Sequence, residues 1–273
     1  MSIIKETLEL ANGIRIPKIG YGTWQLFEGE HEKEIFKTAI RKGYRLIDTA
    51  AMYDNEVSVG RAIKESKVPR DELFVTSKLM FDVKTYDGAL EAFESTMRQL
   101  DLDYLDLYLV HWPVKGKYKD TWKALETLYD EGRIRAIGVS NFMQHHLEDL
   151  MDSAKVFPMV NQIEFHPYLR QQDLLDFCKN NNIQFEAWSP LMQGKIFGID
   201  LLKELAEKYD KTIAQVVLRW DLQKEVVTIP KSVKKERIES NADIFDFEIS
   251  DEDMARIDDL DRNERIGPHP DSM

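Results

Sequence analysis

Short apolar runs alternate with longer amphipathic stretches along almost the whole chain. The runs occupy residues 19–21, 45–47, 73–76, 105–110, 134–139, 159–163, 183–188 and 226–229. Each is short enough for a strand. Between them, Ile35/Phe36/Ala39/Ile40, Ala89/Ala92/Phe93/Met97/Leu100, Trp122/Leu125/Leu128/Tyr129 and Leu174/Leu175/Cys178 recur at helical spacing, giving each stretch one apolar face. Residues 7–16 read as a β-hairpin turning at Asn12-Gly13, a dipeptide suited to two-residue turns.

Eight strand–helix units fit either a (β/α)8 barrel or an open doubly wound sheet. The open sheet usually opens on a glycine-rich phosphate turn. Here Gly20-Tyr21-Gly22 is followed by Gln25, with no G-x-G-x-x-G and no P-loop anywhere. The barrel is favoured: an α/β (TIM) barrel over residues 1–273 as a single domain, with an N-terminal hairpin at 7–16 and an acidic C-terminal helix and short tail at 243–273.

Composition narrows the class. The chain has 273 residues, 37 Lys+Arg and 49 Asp+Glu, for a net charge of −12. Such an acidic protein is a poor partner for nucleic acid or anionic membranes. The longest stretch without a charged residue, 136–147, is too short to span a bilayer. Residues 1–6 carry no apolar signal core, and a lone Cys178 fits a reducing compartment, so a cytoplasmic enzyme is expected. The charge is uneven. Residues 243–264 hold ten acidic and two basic side chains, whereas Lys231, Lys234, Lys235 and Arg237 outnumber Glu236 within residues 229–237.

Barrel enzymes place their chemistry where strands end. The runs end at Asp48, Lys78, His111-Trp112-Pro113, Ser140-Asn141, Gln162 to His166, Trp188-Ser189 and Lys231-Ser232. Asp48 beside Lys78 makes an ion pair that can hold a cation inside a pocket. That cation would favour the phenolate of nearby Tyr53 and lower its pKa, fitting it for general acid catalysis. His111 could then orient a carbonyl oxygen. Singly, each has an ordinary explanation: a cap for Asp48, loop packing for Tyr53, a solvated strand end for Lys78, a turn for His111. A Schiff-base aldolase through Lys78 is a second reading, and a non-catalytic nucleotide-binding sensor a third. Adjacent His145-His146 should diverge on a helix, with no carboxylate nearby, so no metal site is expected; Cys178 should lie in the core.

The same residues carry a resemblance to the aldo-keto reductases. Gly43-Tyr44-Arg45-Leu46-Ile47-Asp48-Thr49-Ala50 with Tyr53, Glu56 and Gly60 is similar to that family's first signature, and Ile229-Pro230-Lys231-Ser232 with Arg237 and Asn241 to its last. Ser77-Lys78-Leu79, Val110-His111-Trp112-Pro113, Gly138-Val139-Ser140-Asn141-Phe142 and Asn161-Gln162-Ile163-Glu164 stand between them in order. The resemblance implies an NADP(H)-dependent carbonyl reductase on a (β/α)8 barrel, with Tyr53 as proton donor, Lys78 and Asp48 tuning it, and His111 orienting the carbonyl. It further implies that Gly22, Thr23, Trp24 and Asp48 line the nicotinamide end, and that Ser140, Asn141 and Gln162 hold the carboxamide. Trp188 would stack on the nicotinamide. Ser189, Pro190, Leu191, Gln193, Gly194 and Lys195 would wrap the pyrophosphate, in a loop where the family often has Gly in place of Met192. Lys231, Ser232, Val233, Arg237 and Asn241 would take the 2′-phosphate end, which basic side chains suit chemically. Trp24, Tyr53, Met80, His111 and Trp112 would wall the substrate pocket. The sequence looks most like the microbial diketogluconate and glyoxal/methylglyoxal branches. A short C-terminus, with little to fold over the substrate, implies small or varied carbonyl substrates, and a monomer is expected.

Overall fold

In the computed structural model, residues 6–273 are described, so most of the stretch read for a leader lies outside the described residues. β1 (Thr7–Glu9) and β2 (Arg15–Pro17) form an antiparallel ribbon with Leu8 opposite Ile16. The turn is not the expected two-residue one. Leu10 N donates to Ile14 O and Gly13 N to Leu10 O, leaving a three-residue loop in which Gly13 has φ +84° and Asn12 no positive φ. This is the hairpin class with glycine in the left-handed position. Asn12 serves instead as a tie: its Oδ1 accepts from Ile14 N at 3.2 Å and its Nδ2 donates to the Arg135 carbonyl at 2.9 Å.

Eight parallel strands follow: β3 (Gly20–Gly22), β4 (Leu46–Asp48), β5 (Phe74–Leu79), β6 (Leu105–Val110), β7 (Ile134–Ser140), β8 (Val160–Glu164), β9 (Gln184–Trp188) and β10 (Val227–Thr228). Their order in the sheet is their order in the chain. A parallel bridge between Ile19 and Thr228 joins the two ends and closes the barrel. Thr228 N donates to Lys18 O at 3.0 Å and Gly22 N to Pro230 O at 3.2 Å across this closure.

Side-chain alternation explains why the runs are largely apolar. Leu46, Phe74, Leu107, Leu109, Ala136, Val160 and Val227 pack together with Leu10 and Ile16 of the hairpin. Ile47, Val75, Leu79, Tyr108, Val110, Ile137, Val139, Ile163 and Phe185 belong to a second cluster shared with the helices. Both faces of the sheet are covered, as a parallel barrel requires. The hairpin therefore plugs one end, leaving the C-terminal strand ends free to carry chemistry.

Helices Glu30–Arg41, Glu56–Ser66, Tyr86–Leu100, Tyr118–Asp130, Gln144–Met151 and Gln172–Asn180 follow β3 to β8 in turn. Asp200–Lys208 and Ile213–Gln223 follow β9, Lys235–Ala242 follows β10, and the acidic helix Asp251–Asp258 comes last. Thr212 and Gln215 form a reciprocal capping box at the start of Ile213–Gln223. No helix among the described residues is long and apolar enough to cross a membrane.

Candidate active site

Asp48, Lys78 and His111 from the strand ends meet Tyr53 from the following turn at the open end of the barrel. Lys78 is buried on β5, and its Nζ donates to Asp48 Oδ1 at 2.6 Å, to the Thr49 carbonyl at 2.9 Å and to Tyr53 OH at 3.4 Å. All three ammonium protons have acceptors. The second Asp48 oxygen, Oδ2, accepts from Gln162 Nε2 at 2.8 Å. Tyr53 sits on a short 3-10 turn, Ala51–Tyr53, anchored by Asn55: the Asn55 amide donates to the Thr23 and Leu26 carbonyls at 3.0 and 2.6 Å. The His111 ring packs edge-on to Tyr53 with centroids 5.9 Å apart, and it stacks against Trp112.

Burial decides the proton affinities. It raises the Tyr53 phenol above its ordinary value; Lys78 opposes the rise, while Asp48 and Glu186 add to it. The lowering expected from Lys78 alone is thus outweighed by desolvation. Burial pulls the Lys78 ammonium down, but Asp48, Tyr53 and Glu186 more than compensate and leave it above the usual lysine value. Burial and the neighbouring Lys78 charge hold His111 well below the usual imidazole range, so its ring is neutral at pH 7. Glu186 was missed by reasoning on strand ends because it lies inside the 183–188 run; its signal was a lone charge among apolar neighbours. Burial first, then the Asp48 charge, push its carboxyl up to about 8, with the Gln162 amide and Lys78 offsetting part of this.

Around this centre, Ser140 and Asn141 act as ties between strand ends. Ser140 Oγ donates to the Gln162 carbonyl at 2.9 Å, and Asn141 Nδ2 donates to the His111 carbonyl at 3.0 Å. Trp188 donates its indole N–H to Asn141 Oδ1 at 2.8 Å, which fixes the plane of the ring. Thr23 donates its hydroxyl to the Asp48 carbonyl at 2.9 Å. Gly22 has no room for a side chain: a Cβ there would lie 2.8 Å from the Ile229 carbonyl oxygen. Met80 and Trp112 are partly exposed and line a cavity with His111, and Trp24 is exposed after β3.

After β9 the backbone takes positive φ at Ser189, Met192, Gln193 and Gly194, forming a tight loop over residues 189–198. Met192 is fully buried there, holding the loop to the core, while Gln193 and Lys195 face outward. Lys231, Val233, Lys234, Lys235 and Arg237 are exposed between β10 and the next helix, and Ser232 and Asn241 are buried beside them. Ion pairs elsewhere are plentiful, with Lys42 bound to Glu239 and Lys211 to Asp246 close by. These four cations and Lys195 pair with no carboxylate among the described residues. Cations left free on an acidic protein form an anion-binding patch.

The family model described as Aldo/keto reductase matches residues 18–262. The chain belongs to the aldo/keto reductase family. It is 57% identical to the glyoxal reductase of Bacillus subtilis (strain 168) over 270 residues, covering 99% of this chain and 98% of that protein. It is 44% identical to the methylglyoxal reductase DkgA of Escherichia coli (strain K12), with 97% of each chain covered. A crystal structure of a Gox0644 mutant in complex with NADPH superposes with a TM-score of 0.94 at 40% identity, covering 98% of both chains.

Two features of this aldo/keto reductase correct the sequence reading. The C-terminal tail returns to the barrel mouth: Ile266 N and Gly267 N donate to Glu164 Oε1 at 2.5 and 3.1 Å. Gly267 then abuts the outer edge of the Trp188 indole, where a Cβ would lie 2.5 Å from Cη2. His145 and His146 do not diverge, because their rings lie 4.0 Å apart and the tail brings Asp271 Oδ1 to within 2.9 and 3.4 Å of their Nε2 atoms. The trio has the residue types of a metal site. His146 Nδ1 also accepts the Met143 backbone N–H at 3.2 Å, and the contacts of Asp271 with both rings latch the tail.

Proposed function

We propose that this chain reduces aldehyde, α-dicarbonyl or keto-sugar carbonyls to alcohols with NADPH, and that Tyr53 donates the proton. The observation that carries this reading is the Lys78 ammonium, gripped by Asp48 and Thr49 with its third proton toward Tyr53 OH at 3.4 Å. The residues fit the cofactor: the free cations Lys195, Lys231, Lys234, Lys235 and Arg237 suit its phosphates, and the Trp188 ring, held by Asn141, offers a platform for the nicotinamide. When bound, NADPH supplies the hydride for the carbonyl carbon. Ser140, Asn141 and Gln162 would hold the carboxamide; one Gln162 amide proton goes to Asp48, and its carbonyl oxygen can accept from the carboxamide.

Tyr53 keeps its proton at neutral pH because burial raises its pKa, and a protonated phenol is the form that can give a proton to the carbonyl oxygen. As the proton leaves, negative charge grows on Tyr53 beside Lys78, where the ammonium stabilises it. His111, neutral, has one N–H with which to hold the carbonyl oxygen toward Tyr53. Tyr53→Phe should abolish NADPH consumption with glyoxal or methylglyoxal, a loss of roughly 100- to 10,000-fold, while NADPH still quenches protein fluorescence. Near-normal turnover by that variant would rule the assignment out. The aldolase alternative needs a neutral Lys78 amine, and the three acceptors around its ammonium oppose that.

A further inference from the structure

Glu186 sits in the middle of β9 with no solvent exposure, and neither of its carboxyl oxygens has a hydrogen-bond partner. On β8, Gln162 is its partner in register; its amide donates to Asp48 and only partly offsets the burial of Glu186. On the other side, β10 offers Val227 in register and no charge. The titratable groups that act on Glu186 are Asp48 from β4 and Lys78 from β5, and Glu186 in turn acts on Tyr53. Two carboxyls therefore share one ammonium. Asp48 holds Lys78 at 2.6 Å, and Glu186 has no cation of its own. An unpaired carboxylate in a dry interior is costly, so the carboxyl without a partner is the one that retains its proton.

We propose that Glu186 is a positioning residue for the proton donor. As a neutral acid it leaves the full Lys78 charge to Tyr53; as an anion it offsets that charge and holds the phenol proton back. The inference rests on Tyr53 being the donor. Its sign follows from the charges. Reduction leaves charge on Tyr53, so it should slow as Glu186 ionises on the alkaline side of neutrality. Alcohol oxidation needs the Tyr53 phenolate, so an anionic Glu186 should defer it to higher pH.

The test compares kcat against pH for wild type and Glu186→Gln, an amide of the same shape that cannot ionise. Wild-type reduction should lose about tenfold through its alkaline limb, and the variant should not. The alkaline rise of alcohol oxidation should move toward acid by about one pH unit in the variant. A packing role alone would lower kcat at every pH without reshaping the profile, and superimposable normalised profiles would overturn the proposal. Infrared difference spectra give a readout that needs no turnover. Wild type at pH 7 should show the carbonyl stretch of a protonated carboxyl that titrates away in alkali and is missing from Glu186→Gln, and its absence from wild type would also overturn the proposal. Should the Gln variant fold poorly, Glu186→Thr, suited to a strand, carries the same expectations. Turnover by Tyr53→Phe would remove the donor, while the infrared band would still decide the state of Glu186.

Discussion

Gln162 on β8 and Asp48 on β4 stand on opposite sides of the barrel, and the Gln162 amide nitrogen reaches Asp48 Oδ2 at 2.8 Å across the interior. Lys78 takes the other oxygen, so the carboxylate is fixed from two directions. Gln162→Leu keeps the bulk and removes the donor. Losing a hydrogen bond to a charged group should cost about 1.5–3 kcal/mol of stability. With the Lys78 ammonium less firmly placed, kcat should fall roughly 10- to 100-fold, a loss of that same size. Thermal melts and steady-state rates check the two halves separately.

Arg237 and Lys231 should discriminate between nucleotides. Arg237→Ala is expected to raise the KM for NADPH by 10-fold or more and leave that for NADH nearly unchanged, because only NADPH carries the 2′-phosphate. The wild-type KM for NADPH should rise with salt, and less steeply in the variant. Equal effects on both nucleotides would remove these residues from the phosphate site.

Acid should loosen the protein before its carboxylates matter. Burial, then His145, hold His146 down to about 4, and His111 is held well below the ordinary value. In the unfolded chain both titrate near ~6.5. Their neutral burial therefore contributes stability present above pH 6.5 and lost as pH falls through the folded-state values, since the unfolded chain takes up protons first. Melting temperatures at pH 7.5 and 5.0 should differ, and His146→Gln should shrink that difference even if it lowers both values.

Gly267→Ala places a methyl group against the Trp188 indole edge. Overpacking of this kind costs about 1–3 kcal/mol, and either the ring or the tail must move. We expect a several-fold higher KM for NADPH and altered tryptophan emission, whereas Gly198→Ala, in open space, should change neither.

The barrel was legible because parallel strands covered on both faces write themselves as apolar runs, and the polar groups ending those runs were legible because strand ends must be solvated or used. Asp48, Tyr53, Lys78 and His111 converge as their positions implied. What stayed hidden was either electrostatic or remote in sequence. Tyr53 lies near a lysine, yet the sign of its shift depends on burial, which spacing does not reveal. Glu164 binds a tail more than 100 residues away, and Asp271 crosses a similar distance to His145 and His146. The hairpin turn was misjudged by one residue because Asn12-Gly13 fits two loop classes, and only the pairing of Leu10 with Ile14 separates them.

The single bridge between Ile19 and Thr228 makes one seam of the barrel thinner than the rest. β10 is two residues long, and few backbone bonds span the gap. The chain that crosses it, from Thr228 through Pro230 to Ser232, also holds the Tyr21 hydroxyl by the Ser232 carbonyl at 2.5 Å and leads straight into the cationic segment. If Lys231 and Arg237 hold the cofactor phosphate as proposed, that anion would fasten the stave that closes the cask. Occupancy of a surface site should then be felt as rigidity around the whole wall, with amide exchange at the seam slowing most.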